Sequence, residues 1–184
     1  KCFAFGTILT SFTKKGDVCL LENHAKLMKF FLASDEVIGR KKLQKMIYIL
    51  KKCDIPFEEK FEFHFYGPYS EELTLRIEEL CNLGFLTETK EKKSNYFQYR
   101  YQLTNQGEEF LEQSNVQLPQ MGAFITKMKE KSSRFLELVA TMLYFDHLEK
   151  DEIAEKVQIV KKKSNYTDKD INEAWAFIDD MRAQ

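Results

Sequence analysis

The chain has 184 residues, 43% of them hydrophobic and 14% aromatic, with 16 Phe. That suits one ordinary domain, or one domain with a helical appendage, and excludes global disorder. A formal net charge of -1 with 31% charged residues excludes a whole-molecule field that would drive the chain toward nucleic acid or an anionic membrane, so electrostatic function must come from local segregation.

The first nineteen residues, KCFAFGTILTSFTKKGDVC, show neither helical periodicity nor clean strand alternation. Lys14, Lys15, Gly16 and Asp17 require purine-rich codons that can contain a ribosome-binding sequence shortly before Leu20, whose codon can be the start UUG. Residues 1–19 are therefore expected to be a leader, either translated upstream sequence before a natural start at Leu20 or an unstructured native arm. From Leu21 to Ala33 the spacing predicts a helix with Leu21, Met28, Phe31 and Leu32 on one face and His24 and Lys29 elsewhere. Ser34 and Asp35 end it. After Val37-Ile38-Gly39, Leu43, Met46, Ile47 and Leu50 at i, i+3, i+4 and i+7 mark a second amphipathic helix, stopped by Pro56.

KFEFHFYG then switches to period two, with Phe61, Phe63 and Phe65 on one face of a strand closed by Gly67-Pro68. Ser70 is a natural N-cap for a third helix that carries Glu71 and Glu72 at its positive end, buries Leu73, Ile77, Leu80 and Cys81, and stops at Gly84. Two strand-like stretches in TETKEKKSNYFQYRYQLT flank a turn around Lys92 to Asn95 and read as a hairpin wing. Thr104 caps a short helix, NQGEEFLEQ. From about Pro119 four further segments show helical spacing, the last opened by Thr167 with Asp170 and burying Ile171, Ala174, Trp175 and Ile178. The expected fold is mainly α with a small β-sheet (α+β): a winged-helix-like module over residues 20–117 with its first strand displaced, followed by a helical extension over 118–184 that docks on it.

GRKKLQKMIYIL at 39–50, FEFHFYGPYSEELTLRIEELCNLGFL at 61–86 and YQLTNQGEEFL at 101–111 together resemble the bacterial YwgA-like proteins, over a length running from about Leu20 to the C-terminus. More distantly, Lys-Leu-Gln-Lys followed by a Tyr-Gly-Pro turn resembles the SocA/Panacea antitoxin domain, whose members neutralise or deliver protein toxins. The YwgA-like group is uncharacterised, so that resemblance implies a fold more than an activity.

Two functions follow as expectations. A DNA-binding transcription regulator, acting as a homodimer, would hold phosphates with Arg40, Lys41, Lys42 and Lys45 on the second helix and Lys92, Lys93 and Arg100 on the wing. Against it, the helix before the wing offers Glu71, Glu72, Glu78 and Glu79 with one Arg76 and would repel a phosphate backbone. An antitoxin-like or adaptor module would instead bind a protein through Phe63, Phe65, Tyr66, Pro68 and Tyr69, aromatic surface beside a rigid turn, although core packing explains most Phe positions equally well. Catalysis is not expected: His24, His64 and His147 lie on separate elements, and no phosphate loop or nucleophile motif is present. Cys2, Cys19, Cys53 and Cys81 are scattered without metal-ligand spacing, so no metal, disulfide framework or cofactor is expected, nor a small-molecule substrate. Charges interrupt every apolar run before the ~20 residues a membrane span needs, which makes the cytoplasm the expected location.

Overall fold

The computed structural model describes residues 15–94 and 96–183. Most of the expected leader, residues 1–14, therefore lies outside the described residues. Helix α1 spans Lys15–Ser34 and so begins before Leu21, since no proline stands in the preceding segment to stop a helix growing backward. It buries Ala25, Leu27, Met28, Phe30 and Phe31, and His24 lies on the buried side as well. Leu32, expected on the core face, is instead 52% exposed.

Asp35 takes a left-handed φ of 60°, and strand β1 follows at Glu36–Ile38. No local pattern in residues 36–38 predicts this strand. Its hydrogen-bonding partner is 64 residues away, where Val37 sits opposite Tyr101. Helix α2 spans Arg40–Lys52, strands β2 and β3 span Glu62–His64 and Gly67–Tyr69, and helix α3 spans Glu71–Asn82. Ser70 Oγ accepts from the Leu73 amide as the expected N-cap, and Gly84 follows α3 with φ 77°. Strands β4 (Leu86–Lys92) and β5 (Phe97–Leu103) form the expected hairpin, and β1 adds to its far side, giving a three-stranded antiparallel sheet in the order β1-β5-β4.

Thr104 Oγ1 accepts from the Gly107 amide to cap α4 (Asn105–Glu112). Helices α5 (Gly122–Lys129), α6 (Ser133–Tyr144), α7 (Lys150–Val160) and α8 (Asp168–Arg182) complete the described chain. Thr167 and Asp170 form the expected capping box of α8, whose core face carries Phe177 beside Ile171, Ala174 and Ile178 while Trp175 is only half-buried. The chain is thus mainly α with a small antiparallel sheet. Helix α6 packs on α2 and β3 and is flanked by α8. It buries Leu136, Leu138, Val139, Ala140, Met142 and Leu143, so one contiguous core runs from α1 to α8.

The unit of α4 and the sheet is tightly fitted at Gly107, where a Cβ would stand 2.5 Å from the Phe85 carbonyl oxygen and 2.8 Å from Leu103 Cδ1. A backbone carbonyl cannot rotate away as a side-chain end can. Gly107→Ala is therefore expected to destabilise the fold by about 1–3 kcal/mol, measured as a lower urea midpoint with an unchanged slope.

Candidate functional site

The region with the most side-chain chemistry surrounds the β2–β3 hairpin. His64 pairs with Gly67, so Phe65 and Tyr66 form a two-residue connection. Gly67 follows with φ 79°, a left-handed angle that lets ordinary residues precede it in a tight hairpin. The sequence placed Phe65 on the same face as Phe61 and Phe63. The turn reverses the chain there, and only the latter two pack inward: Phe63 lies 5.2 Å, ring to ring, from both Tyr144 and Phe145, and Phe61 lies 5.0 Å from Tyr48. Phe65 and Tyr66 remain 68% and 59% exposed, their rings edge-on at 5.0 Å.

The backbone beneath these two rings is fixed from both sides. Helix α2 presents Lys41, Gln44 and Lys45 to it, the i, i+3, i+4 spacing of one helix face. Gln44 makes a paired contact with the main chain of Ser70, donating to its carbonyl at 2.9 Å and accepting from its amide at 2.9 Å. Lys45, 1% exposed, donates to the Pro68 carbonyl. From the opposite side Lys161 donates to the Phe65 carbonyl at 2.5 Å. A Cβ at Gly67 would meet Thr141 Oγ1 of α6 at 3.0 Å, so the hairpin lies close on that helix.

Glu137 of α6 ties these parts together. Its Oε1 accepts from Lys161 at 2.8 Å and its Oε2 from Lys41 at 2.8 Å, with the Glu137 and Lys161 side chains only 6% and 2% exposed. Burial alone would raise the Glu137 carboxyl. The two ammonium groups outweigh it and hold the group below its ordinary value. Lys45 has no carboxylate of its own, and burial lowers it from 10.5 to about 7, with Glu137 opposing that shift and Lys161 and Lys41 adding to it.

No protein-family model matches the chain. The chain is 59% identical over 163 residues, covering 89% of its own length and 98% of the relative's, to the uncharacterised protein YwgA of Bacillus subtilis strain 168. The chain belongs to the YwgA family.

The basic residues singled out in this YwgA-family sequence are distributed unevenly. Arg40 donates to Glu88 at 2.7 Å and to Tyr101 Oη at 3.1 Å, and stacks 3.7 Å above Tyr99. Lys42 donates to the carbonyls of Lys129 and Lys131 at 2.6 and 2.8 Å, closing the C-terminal end of α5. Lys41 and Lys45 belong to the hairpin support just described. On the wing, Arg100 is held between Glu91 and Glu36 and Lys93 lies 3.4 Å from Glu91, while Lys92 is exposed. Six of the seven candidates thus already have an oxygen partner within the chain.

The aromatic candidates narrow to two. Pro68 is buried, Phe63 is packed on α6, and Tyr69 is half-buried with its hydroxyl 2.8 Å from Thr74 Oγ1. Sequence reasoning missed Gln44, Glu137 and Lys161. A single acid inside FLELVATML was the available signal for Glu137, because a charge in an apolar helical run needs a partner. Among the described residues no cluster of His, Cys, Asp or Glu is suited to a metal ion, and no helix is long and apolar enough to cross a membrane.

Two measurements check the support. Glu137→Gln leaves two cations facing a neutral amide and is expected to cost about 3–5 kcal/mol in urea unfolding, with part of the loss recovered by adding Lys161→Met. For Lys45, the unfolded chain holds the proton at 10.5 and the folded chain at about 7. The unfolded state therefore binds more protons between these values, and stability rises with pH from about 7 to 10. The full cost of the buried charge is present below 7. Lys45→Met is expected to flatten that rise.

Proposed function

We propose that this YwgA-family chain is a non-catalytic regulatory module of winged-helix-like architecture that works without a cofactor, as an antitoxin-like or adaptor protein of the SocA/Panacea type, by holding a protein partner at Phe65 and Tyr66. One observation carries the reading: two adjacent aromatic rings stand in solvent on a loop whose backbone is fixed by Gln44, Lys45 and Lys161. Rigid exposed aromatics lose little entropy on contact and make effective binding anchors. The order α1, β1, α2, α3 and the β4–β5 hairpin, with the short β2–β3 hairpin inserted between α2 and α3 and the sheet order β1-β5-β4, supports the winged-helix-like description.

DNA binding is the second reading, and one observation favours it. An open groove of about 670 Å³ between α2 and the wing is lined by Arg40, Lys42 and Lys131 with exposed Tyr96 and Phe97, a mixture of cations and stacking surfaces that suits nucleic acid. It ranks second because Arg40 and Lys42 already serve internal partners. Helix α3, which precedes the wing, also leaves Glu71, Glu78 and Glu79 exposed, so a phosphate backbone would be repelled.

Photo-crosslinking separates the two. With a photoreactive phenylalanine analogue at position 65 or at position 97, expressed in host cells, the expected result is a discrete protein adduct from position 65 and none from 97. An adduct to nucleic acid from position 97, with selective enrichment of duplex DNA at low salt, would replace this reading with the second.

A further inference from the structure

Tyr66 borders two hollows. Beside it is a cavity of about 220 Å³ whose wall is apolar over Leu43, Leu73, Ile77 and Tyr101 and carries Arg40, Glu78 and Glu88 at its polar side. A cavity of roughly 150 Å³ is large enough to hold a benzene molecule, so by volume this one admits a bulky aliphatic or aromatic side chain against its apolar wall. In front of Tyr66 lies an open groove of about 610 Å³ lined by Lys41, Arg134, Lys161, Lys162 and Lys163, with Glu137 the one carboxylate among its lining residues. Glu137 is already shared between Lys41 and Lys161. Arg134 donates to the Ser164 carbonyl at 2.7 Å, lies 3.9 Å from Asp170 and keeps half of its side chain in solvent. Lys162 and Lys163 are exposed, the latter 5.8 Å from the Phe65 ring. Lys41 and Tyr66 line both hollows.

We infer that the occupant is an acidic segment of a partner protein that crosses Tyr66, with one bulky apolar side chain in the cavity beside it and carboxylates among the lysines in front. The inference rests on the protein-partner reading and gives that partner its chemistry. Charge complementarity selects acidic residues, because the groove has four more cations than anions among its lining side chains, Arg40 and Lys45 balance Glu78 and Glu88 in the neighbouring cavity, and the apolar wall of that cavity supplies the anchor. An extended chain matches two hollows arranged side by side around one ring.

The test uses the full chain and a fluorescein-labelled synthetic peptide in which one Phe adjoins three Glu within a Gly-Ser background. Saturable binding is expected, at least tenfold weaker when the Phe is replaced by Ala, when the Glu are replaced by Gln, or when the protein carries Lys162→Glu with Lys163→Glu. Both lysines are exposed, so that variant retains the fold, and an unchanged melting temperature checks it. Ile77→Phe, which fills the cavity, is expected to remove the dependence on the peptide Phe while keeping the dependence on Glu. Absence of saturable binding, or binding indifferent to the lysine pair, overturns the inference. Binding of a random duplex DNA that the lysine pair controls, with the peptides inactive, overturns it in favour of nucleic acid. If a protein adduct forms at position 65 while the peptides do not bind, the partner reading stands and only its acidic chemistry falls. If neither occurs, both fall.

Discussion

Glu137 occupies a position that is tolerable for a carboxylate only because two ammonium groups meet it. Its helix is otherwise packed with apolar side chains, and its own side chain is 6% exposed. Lys161 and Lys41 reach it from the end of α7 and from α2, so one buried acid joins three helices. Lys161 also donates to the Phe65 carbonyl, which extends the same network into the hairpin. Such a buried arrangement adds little net stability compared with a well-packed apolar one, but removing one partner is costly. Its contribution here is geometric, since it fixes where the hairpin sits on α6.

The support explains how the backbone beneath an exposed aromatic pair is held. Phe65 and Tyr66 have little packing of their own, and a two-stranded hairpin of three residues per strand is marginal in water. The order comes from outside the hairpin: Gln44 pairs with the Ser70 main chain, Lys45 meets the Pro68 carbonyl, and Gly67 lies against Thr141. The α2 segment looks in sequence like a basic face, yet much of it serves as internal scaffolding. Arg40, Lys41, Lys42 and Lys45 all find oxygen acceptors on other elements.

Local signals were read well and long-range ones were not. Helix α2, the Ser70 and Thr104 caps and the Thr167 capping box depend on residues within a few positions of each other, and each stands where the spacing placed it. Strand β1 is three residues long and exists because Arg100 to Gln102 supply its hydrogen bonds, which no local pattern reveals. Period-two alternation through FEFHF puts Phe65 on the face of Phe61 and Phe63, whereas the chain reverses at Phe65 and Tyr66. The fate of the lysines was equally invisible, since solvation and a buried acceptor produce the same one-letter pattern. Only the tertiary position of Glu137, 96 residues after Lys41, distinguishes them.

The carboxylate on α6 holds the aromatic tip in place through Lys161. Backbone hydrogen exchange, compared between the natural chain and Glu137→Gln under conditions where both remain folded, tests it most directly. Faster exchange confined to residues 62–70 is expected, with the β4–β5 hairpin unchanged because its ladder does not depend on Glu137. Unchanged protection across residues 62–70 would contradict it and assign the order of the tip to packing alone.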